Sequence, residues 1–221
     1  MRHIILHIET ATKVCSVAVS VNGSEVACKE SLCDKFIHAE SLTLFIIEVL
    51  ELANINFKDL SAVSISSGPG SFTGLRIGLS TAKGICFGLQ IPLIDVPTLD
   101  SLIQIGLNLF QSKNLIAMID ARRMEVYSLI QNQDGKVLKC MSADIVEENS
   151  YAEFEPLVCF GDGVEKLKDL WKNRTILIKD GIYCSARGQV PLAHSKYLAK
   201  DFVDISNFTP KYIKEFQLVA H

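Results

Sequence analysis

Residues 4–31 read IILHIETATKVCSVAVSVNGSEVACKES and predict three consecutive β-strands. The apolar run 4–8 is typical of a short buried strand, and residues 14–21 alternate apolar with polar side chains as a half-buried strand does. Asn22-Gly23 is the dipeptide that most favours a two-residue hairpin turn, so residues 26–31 should return beside 14–21. We therefore expect the fold to begin with an antiparallel three-stranded unit.

The remainder of the first half alternates helices with strands. Helical periodicity covers residues 39–53 and 72–89, and short β runs lie at 62–66 and 93–96, the second ending at Pro97. The order β-β-β-α-β-α-β predicts a mixed sheet with helices packed over it.

The second half repeats this opening in weaker form. Its predicted elements are strands 115–119, 124–130 and 137–140 with a turn at Asp134-Gly135, strand 157–160, helix 164–171, strand 175–178, helix 192–199 and a C-terminal segment 210–219. Two half-chains that each begin with three strands indicate duplication. We place the boundary between Asp100 and Asn114 and expect domains at 1–105 and 106–221.

Composition excludes several classes of protein. The 221 residues are 48% apolar and 21% charged, with a net charge of -3, so neither disorder nor stand-alone nucleic-acid binding is favoured. The charge-free run 60–75 is too short to span a bilayer, and residues 4–8 lack the length of a signal peptide's apolar region. The seven cysteines form no C-x-x-C pair, which favours free thiols and a cytoplasmic location.

A glycine-rich loop, SSGPGSFTG at residues 66–74, joins a predicted strand to a predicted helix. Backbone N–H groups at such a helix start can hold an anion. The loop contains neither a P-loop, nor G-x-G-x-x-G, nor G-x-S-x-G. The residues alone leave two interpretations open, a structural turn or an anion or nucleotide contact.

The helix at 72–89 carries a line of small residues beside its apolar stripe. The line consists of Gly74, Ile77, Thr81, Gly84 and Gly88. Each helical glycine costs about 1 kcal/mol relative to alanine, and small residues at this spacing let another helix approach closely. On the preceding helix, Leu44 and Ile47 lie among glutamates, either as scattered surface residues or as part of a helix-on-helix surface.

The histidines and acids form no convincing metal site. His3 and His7 fall on a strand, where a four-residue separation places them about 13 Å apart. The chain has no H-E-x-x-H. The charged run Asp120-Ala121-Arg122-Arg123 lies between two predicted strands and is either a solvated turn or a contact for an acidic partner or nucleotide.

Several segments together resemble the TsaB (YeaZ) family. They are residues 5–19, 67–78, 82–84 and 120–127, with Pro210-Lys211-Tyr212-Ile213-Lys214 matching the family's C-terminal P-x-Y-[LI]-[RK]. The resemblance covers nearly the whole chain. It implies an α/β, actin-like fold of the sugar kinase, Hsp70 and actin superfold, with two duplicated β-β-β-α-β-α type domains of which the second is degenerate.

The same resemblance implies a non-catalytic scaffold for tRNA modification. TsaB-like proteins are required for threonylcarbamoylation of the adenosine next to the anticodon in tRNAs that read codons starting with A. In that role this chain would bind and activate the transferase TsaD, work with the ATPase TsaE, form a homodimer when alone, and meet tRNA only through the complex. The implied interface residues are Leu44, Ile47, Gly74, Ile77, Thr81, Gly84 and Gly88.

Departures from the catalytic relatives argue against intrinsic chemistry. Thr98 and Leu102 stand where TsaD-like chains carry the metal-binding histidines of V-N-H-x-x-G-H, so no metal is expected. Glu9 begins a loop that reads D-x-G-T in the superfold, and Arg122 and Arg123 replace glycines. The candidate nucleotide or anion contacts are Glu9, Thr10, Thr12, Gly70, Ser71, Thr73 and Arg122. We expect no intrinsic cofactor, with ATP or ADP bound, if at all, at the interface with TsaD.

Three rival functions remain at this point. Two are enzymes of the same superfold, an ATP-dependent phosphotransferase and a metallopeptidase. The third is a free-standing tRNA binder, which would depend on the sparse group Lys196, Lys200, Lys211 and Lys214, interleaved with Asp201, Asp204 and Glu215.

Overall fold

The structure, a computed structural model, describes residues 2–32, 38–111 and 114–214. The first half contains β1 Ile4–Glu9, β2 Val14–Val21, β3 Ser24–Leu32, α1 His38–Leu52, β4 Ala62–Ser66, α2 Phe72–Leu89, β5 Leu93–Val96 and α3 Thr98–Leu109. The second half contains β6 Asn114–Asp120, β7 Glu125–Asn132, β8 Val137–Ile145, β9 Leu157–Phe160, β10 Ile176–Lys179 and α4 Gln189–Ala199. Short 3-10 helices occupy Phe57–Asp59, Ala152–Phe154, Glu165–Leu167 and Ala186–Gly188.

The two halves each form a five-stranded mixed sheet with the same strand order. The first sheet runs β3-β2-β1-β4-β5 and the second β10-β9-β6-β7-β8. In both, the first strand of the half is antiparallel to the second and parallel to the fourth. The predicted α/β architecture with a repeated opening is therefore confirmed.

Helices from each half cover the sheets and join them. Helices α1 and α2 pack over one face of the first sheet around Leu6, Ile65 and Leu79. Helix α3 packs on the second sheet, through Leu102 and neighbours, and α4 returns from the second half to cover the other face of the first. The predicted division at residues 105 and 106 falls inside α3 and stays a prediction.

A buried polar network fixes α4 on the first sheet. The Gln189 side chain donates to the Ile8 carbonyl at 2.8 Å and accepts from the Ser64 hydroxyl at 2.6 Å. Ser64 Oγ also lies 2.7 Å from His7 Nδ1. Burial lowers the pKa of His7 to about 3, so this ring is neutral in the folded protein. The second half is thereby hydrogen-bonded to the central strand of the first.

One predicted element is wrong, and one observed helix was not among the predicted elements. Residues 164–171 are not an α-helix: only Glu165–Leu167 forms a 3-10 helix, flanked by turns. A segment this short gains little from helix formation, and turns suffice to bury Leu167 and Trp171. Helix α3 was not predicted because Pro97 was interpreted as a stop, whereas it precedes the helix with φ of -60°, a conformation suited to a helix start.

Other differences concern boundaries. Strand β8 extends to Ile145, and α4 begins at Gln189. Residues 210–214 have no regular structure. Cys33, the His38 side chain, His221 and residues 215–219 of the predicted C-terminal segment lie outside the described residues; the six cysteines within them are free thiols. No helix in the described part of the chain is long and apolar enough to cross a bilayer.

Candidate functional site

The glycine-rich loop packs directly against the turn that follows β1. The Ser71 N–H donates to the Ala11 carbonyl at 2.6 Å, and the Ser71 side chain caps α2 by accepting from the Gly74 N–H at 3.2 Å. A Cβ on Gly70 would lie 2.4 Å from the Ala11 carbonyl oxygen. The loop therefore needs glycine at this position for close backbone contact.

Glu9 and Thr10 are buried beneath this contact. The Thr10 hydroxyl donates to the Gly74 carbonyl at 2.8 Å, and Glu9 Oε1 accepts from the Ala11 N–H at 2.8 Å. Burial raises the pKa of Glu9 to about 7, because its charged form is desolvated. Two donors here are bonded within the protein: the Ser71 N–H donates to the Ala11 carbonyl, and the Thr10 hydroxyl donates to the Gly74 carbonyl. These two donors are therefore not free to bind a phosphate group.

Three polar atoms at this edge of the first sheet have no hydrogen-bond partner within residues 2–32, 38–111 and 114–214. They are Glu9 Oε2, Ser67 Oγ and Thr98 Oγ1, and all three residues are buried. Thr98 and Leu102, at the positions of the family's metal ligands, lie inside α3 with no exposed surface. No group of three or more metal-binding side chains occurs in the described ranges.

The structure brings most of the predicted contact residues together. Glu9, Thr10 and Thr12 are buried beside Gly70 and Ser71, while Thr73 is exposed on the first turn of α2. Arg122 is exposed on the turn between β6 and β7, in the second sheet. Their role in binding an anion stays a prediction.

Replacing Gly70 by alanine is expected to destabilise the protein by about 1–3 kcal/mol, because the new methyl group overlaps the Ala11 backbone. Gly84→Ala serves as the matched control. No heavy atom of the described chain lies within 4 Å of a Cβ there, so this helical substitution should stabilise by up to about 1 kcal/mol. Urea unfolding curves measure both; equal effects would contradict the proposed contact.

One face of α2 is open to solvent beside α1. Gly84 and Gly88 are exposed, and an added Cβ at either would meet no described heavy atom within 4 Å. Leu44 is 57% exposed and Ile47 46% exposed on the neighbouring helix α1. Phe87 on α2 is 82% exposed. We call the exposed residues Leu44, Ile47, Gly84, Phe87 and Gly88 of these two helices the α1–α2 face.

The predicted line of small residues is only partly on this face. Gly74 is buried, and Ile77 is half-buried against the first core. Thr81 donates its hydroxyl to the Ile77 carbonyl at 3.0 Å. Phe87 was not among the predicted interface residues. It lies outside the apolar stripe of the helix but within one turn of Gly84, and this position could have indicated that its side chain is exposed.

Comparisons with known proteins agree with the fold and the motifs. The family model described as "TsaD: tRNA N6-adenosine threonylcarbamoyltransferase" matches residues 36–190. The "tRNA threonylcarbamoyladenosine biosynthesis protein TsaB" of Escherichia coli strain K12 is 29% identical over 219 residues, covering 95% of this chain and 94% of the relative. The protein of the same name from Buchnera aphidicola subsp. Schizaphis graminum is 30% identical over 175 residues, covering 76% and 82%.

A solved structure shows the same fold. It is an uncharacterized Pseudomonas aeruginosa protein with similarity to peptidase YEAZ, which superposes with a TM-score of 0.83 at 23% identity and covers 96% of this chain and 100% of its own. The extent of the family-model match and the identity to relatives of nearly equal length settle the assignment. The chain belongs to the TsaB (YeaZ) family, within the wider group that the TsaD model describes.

Proposed function

We propose that this chain is a non-catalytic accessory subunit in the formation of threonylcarbamoyladenosine in tRNA, and that it acts by binding and activating TsaD. Relatives of nearly equal length carry the name of a tRNA threonylcarbamoyladenosine biosynthesis protein. The modified base is the adenosine next to the anticodon in tRNAs that read codons starting with A.

The α1–α2 face is the observation that carries this proposal. Three apolar side chains of this face are exposed, and an added Cβ at Gly84 or Gly88 would meet no described heavy atom within 4 Å. Glycines in the exposed part of a helix lower its stability by about 1 kcal/mol each, and close approach of a partner helix offsets that cost. TsaD docks on this face, and in its absence a second copy of the chain occupies it.

The region around Glu9 supports a scaffold over an enzyme. Its loop and turn are hydrogen-bonded to each other, so the Ser71 N–H and the Thr10 hydroxyl are not free to bind a phosphate. We propose no intrinsic cofactor for this chain. ATP or ADP, TsaE and tRNA associate with the assembled complex.

The experiment is a reconstitution with unmodified tRNA, the threonylcarbamoyl adenylate donor and TsaE. We expect modified adenosine when this chain and TsaD are both present, little with TsaD alone, and none with this chain alone. Proteolysis or steady ATP turnover by the isolated chain, or modification that does not depend on it, would contradict the proposal. Nucleoside analysis by mass spectrometry is the measurement.

A further inference from the structure

Exposed cations line the edge where the carboxyl ends of β1 and β6 open to solvent. They are Lys13 after β1, Arg76 on α2, Arg122 and Arg123 between β6 and β7, and Lys211 and Lys214 of the C-terminal segment. The whole chain has a net charge of -3, so this concentration of positive charge runs against the overall composition.

Residues 210–214, the described part of the C-terminal segment, connect the basic residues of the two sheets. Lys214 forms an ion pair with Glu125, whose N–H donates to the Arg122 carbonyl at 3.2 Å. Two residues earlier, the Tyr212 hydroxyl accepts from Arg76 Nε at 3.2 Å. Tyr212 thus lies beside α2 of the first half while Lys214 reaches the second sheet, and the cations at these positions share one surface.

Lys13 lies next to the same surface because the turn that carries it contacts the glycine-rich loop. The Lys211 N–H donates to the Ser67 carbonyl at 2.8 Å, which places the C-terminal segment on the glycine-rich loop. That loop binds Ala11, two residues before Lys13. We call Lys13, Arg76, Arg122, Arg123, Lys211 and Lys214 the basic surface.

Three acids near this surface form ion pairs. Glu125 pairs with Lys214, and Asp120 pairs with Lys166. Asp95 pairs with Lys196 at 2.6 Å and with Lys211 at 3.4 Å.

Four of the cations keep their charge available. Within the described ranges, Lys13, Arg76, Arg122 and Arg123 have no carboxylate partner. The Arg76 guanidinium instead lies 3.8 Å from the centroid of the Phe72 ring, beside Tyr212. Exposed cations without a carboxylate partner are the groups that attract a polyanion.

The turn that presents two of the arginines has an unusual backbone. Arg122 and Arg123 have φ of 69° and 50°, the left-handed region in which glycine and asparagine are the less strained choices. Two consecutive arginines there hold both side chains on the exposed end of the hairpin. Strained positions of this kind occur at functional sites.

We propose that the basic surface contacts the phosphate backbone of tRNA held by the complex of this chain with TsaD. This inference rests on the proposed function, which supplies the complex. Lysine and arginine side chains without an acidic partner bind phosphates regardless of the nucleotide sequence. Because these cations come from both halves of the protein, they suit a nucleic-acid strand with several phosphates better than a single mononucleotide. The isolated chain, with its net negative charge, is not expected to retain tRNA.

The test measures tRNA affinity of the complex with TsaD at several salt concentrations. The double variant Arg122→Gln/Arg123→Gln should make the negative slope of log affinity against log salt shallower by about 1–2. It should also weaken tRNA binding several-fold at about 0.1 M salt. Lys58→Gln/Lys136→Gln removes the same charge at the opposite ends of the sheets, before β4 and between β7 and β8. This control should leave the slope unchanged.

Three readouts separate the outcomes. Sedimentation of each variant with TsaD comes first: failure of the unmodified chain to assemble would contradict the proposed function itself. Assembly with an unchanged salt slope in the arginine variant would overturn only the basic surface as an RNA contact. Loss of ADP binding in the arginine variant, with tRNA affinity intact, would assign the surface to a mononucleotide and also overturn the inference.

Discussion

Gly84→Trp is expected to abolish stable association with TsaD while the chain itself stays folded. No heavy atom of the described residues lies within 4 Å of a Cβ at Gly84, so an indole there points into solvent in the isolated protein. Tryptophan is also a better helix former than glycine, by a few tenths of a kcal/mol. The cost arises only in the complex, where a helix packed flush on α2 would be forced away.

The expected loss is large because Gly84 lies on the exposed side of α2, where TsaD is proposed to dock. Overpacking a tightly fitted contact costs about 1–3 kcal/mol, and a bulky indole under a helix backbone should reach the upper end or more, a hundredfold or greater loss of affinity. Sedimentation velocity with TsaD measures the loss of association, and thermal unfolding of the variant tests whether the chain stays folded. Gly84→Ala is the matched control and should still associate. Wild-type affinity in the tryptophan variant would contradict the docking face.

Glu9→Gln is expected to stabilise the chain near neutral pH and to leave it unchanged in acid. The carboxyl group is fully buried, and its pKa is raised from 4.5 to about 7. Below pH 4.5 the group is neutral in both the folded and the unfolded chain, so its contribution to the free energy of unfolding is fully present. That contribution is lost as pH rises through 7, because the unfolded chain ionises first.

Glutamine keeps the shape of the neutral acid and does not ionise. The difference in the free energy of unfolding between variant and wild type should therefore grow from near zero at pH 4.5 to about 3 kcal/mol above pH 7. Urea unfolding at pH 4.5 and pH 8 measures it. Glu153→Gln, at an exposed carboxylate, should show no such growth. A Glu9→Gln variant that is less stable than the wild type at pH 8 would contradict this account of the site.

His7 has the opposite linkage and partly hides the effect of Glu9. Its pKa is lowered from 6.5 to about 3 by burial, so its contribution is present above pH 6.5 and is lost as pH falls toward 3. Between pH 4.5 and 6.5 the two slopes oppose each other in the wild type. The Glu9→Gln variant should therefore gain stability visibly as pH rises over this interval.

Turn dipeptides and hydrophobic periodicity predicted the elements that depend on neighbouring residues in the sequence. Asn22-Gly23 forms the turn between β2 and β3, and the periodicity of residues 72–89 matches α2. Helix α3 escaped prediction because a proline opens it, and 164–171 was misassigned because two apolar residues one turn apart suffice for burial without a helix. Amphipathic spacing says which side chains are apolar, not whether a short segment closes into a helix.

The site was predictable where exposure follows from helix geometry and not where it depends on distant contacts. The openness of Gly84 and Gly88 follows from their place on the helix, opposite the apolar stripe. The engagement of Thr10 with Gly74 joins residues 64 positions apart, and no local pattern signals it. The surface formed by Arg76, Tyr212 and Lys214 likewise exists only because the C-terminal segment returns along α2.

Amide hydrogen exchange of this chain, with and without TsaD, tests the docking face most directly. We expect slowed exchange within α1 His38–Leu52 and α2 Phe72–Leu89 on complex formation, with α4 Gln189–Ala199 unchanged. Slowing concentrated on α4 or on β8 Val137–Ile145, with α2 exchanging as in the free chain, would contradict the account.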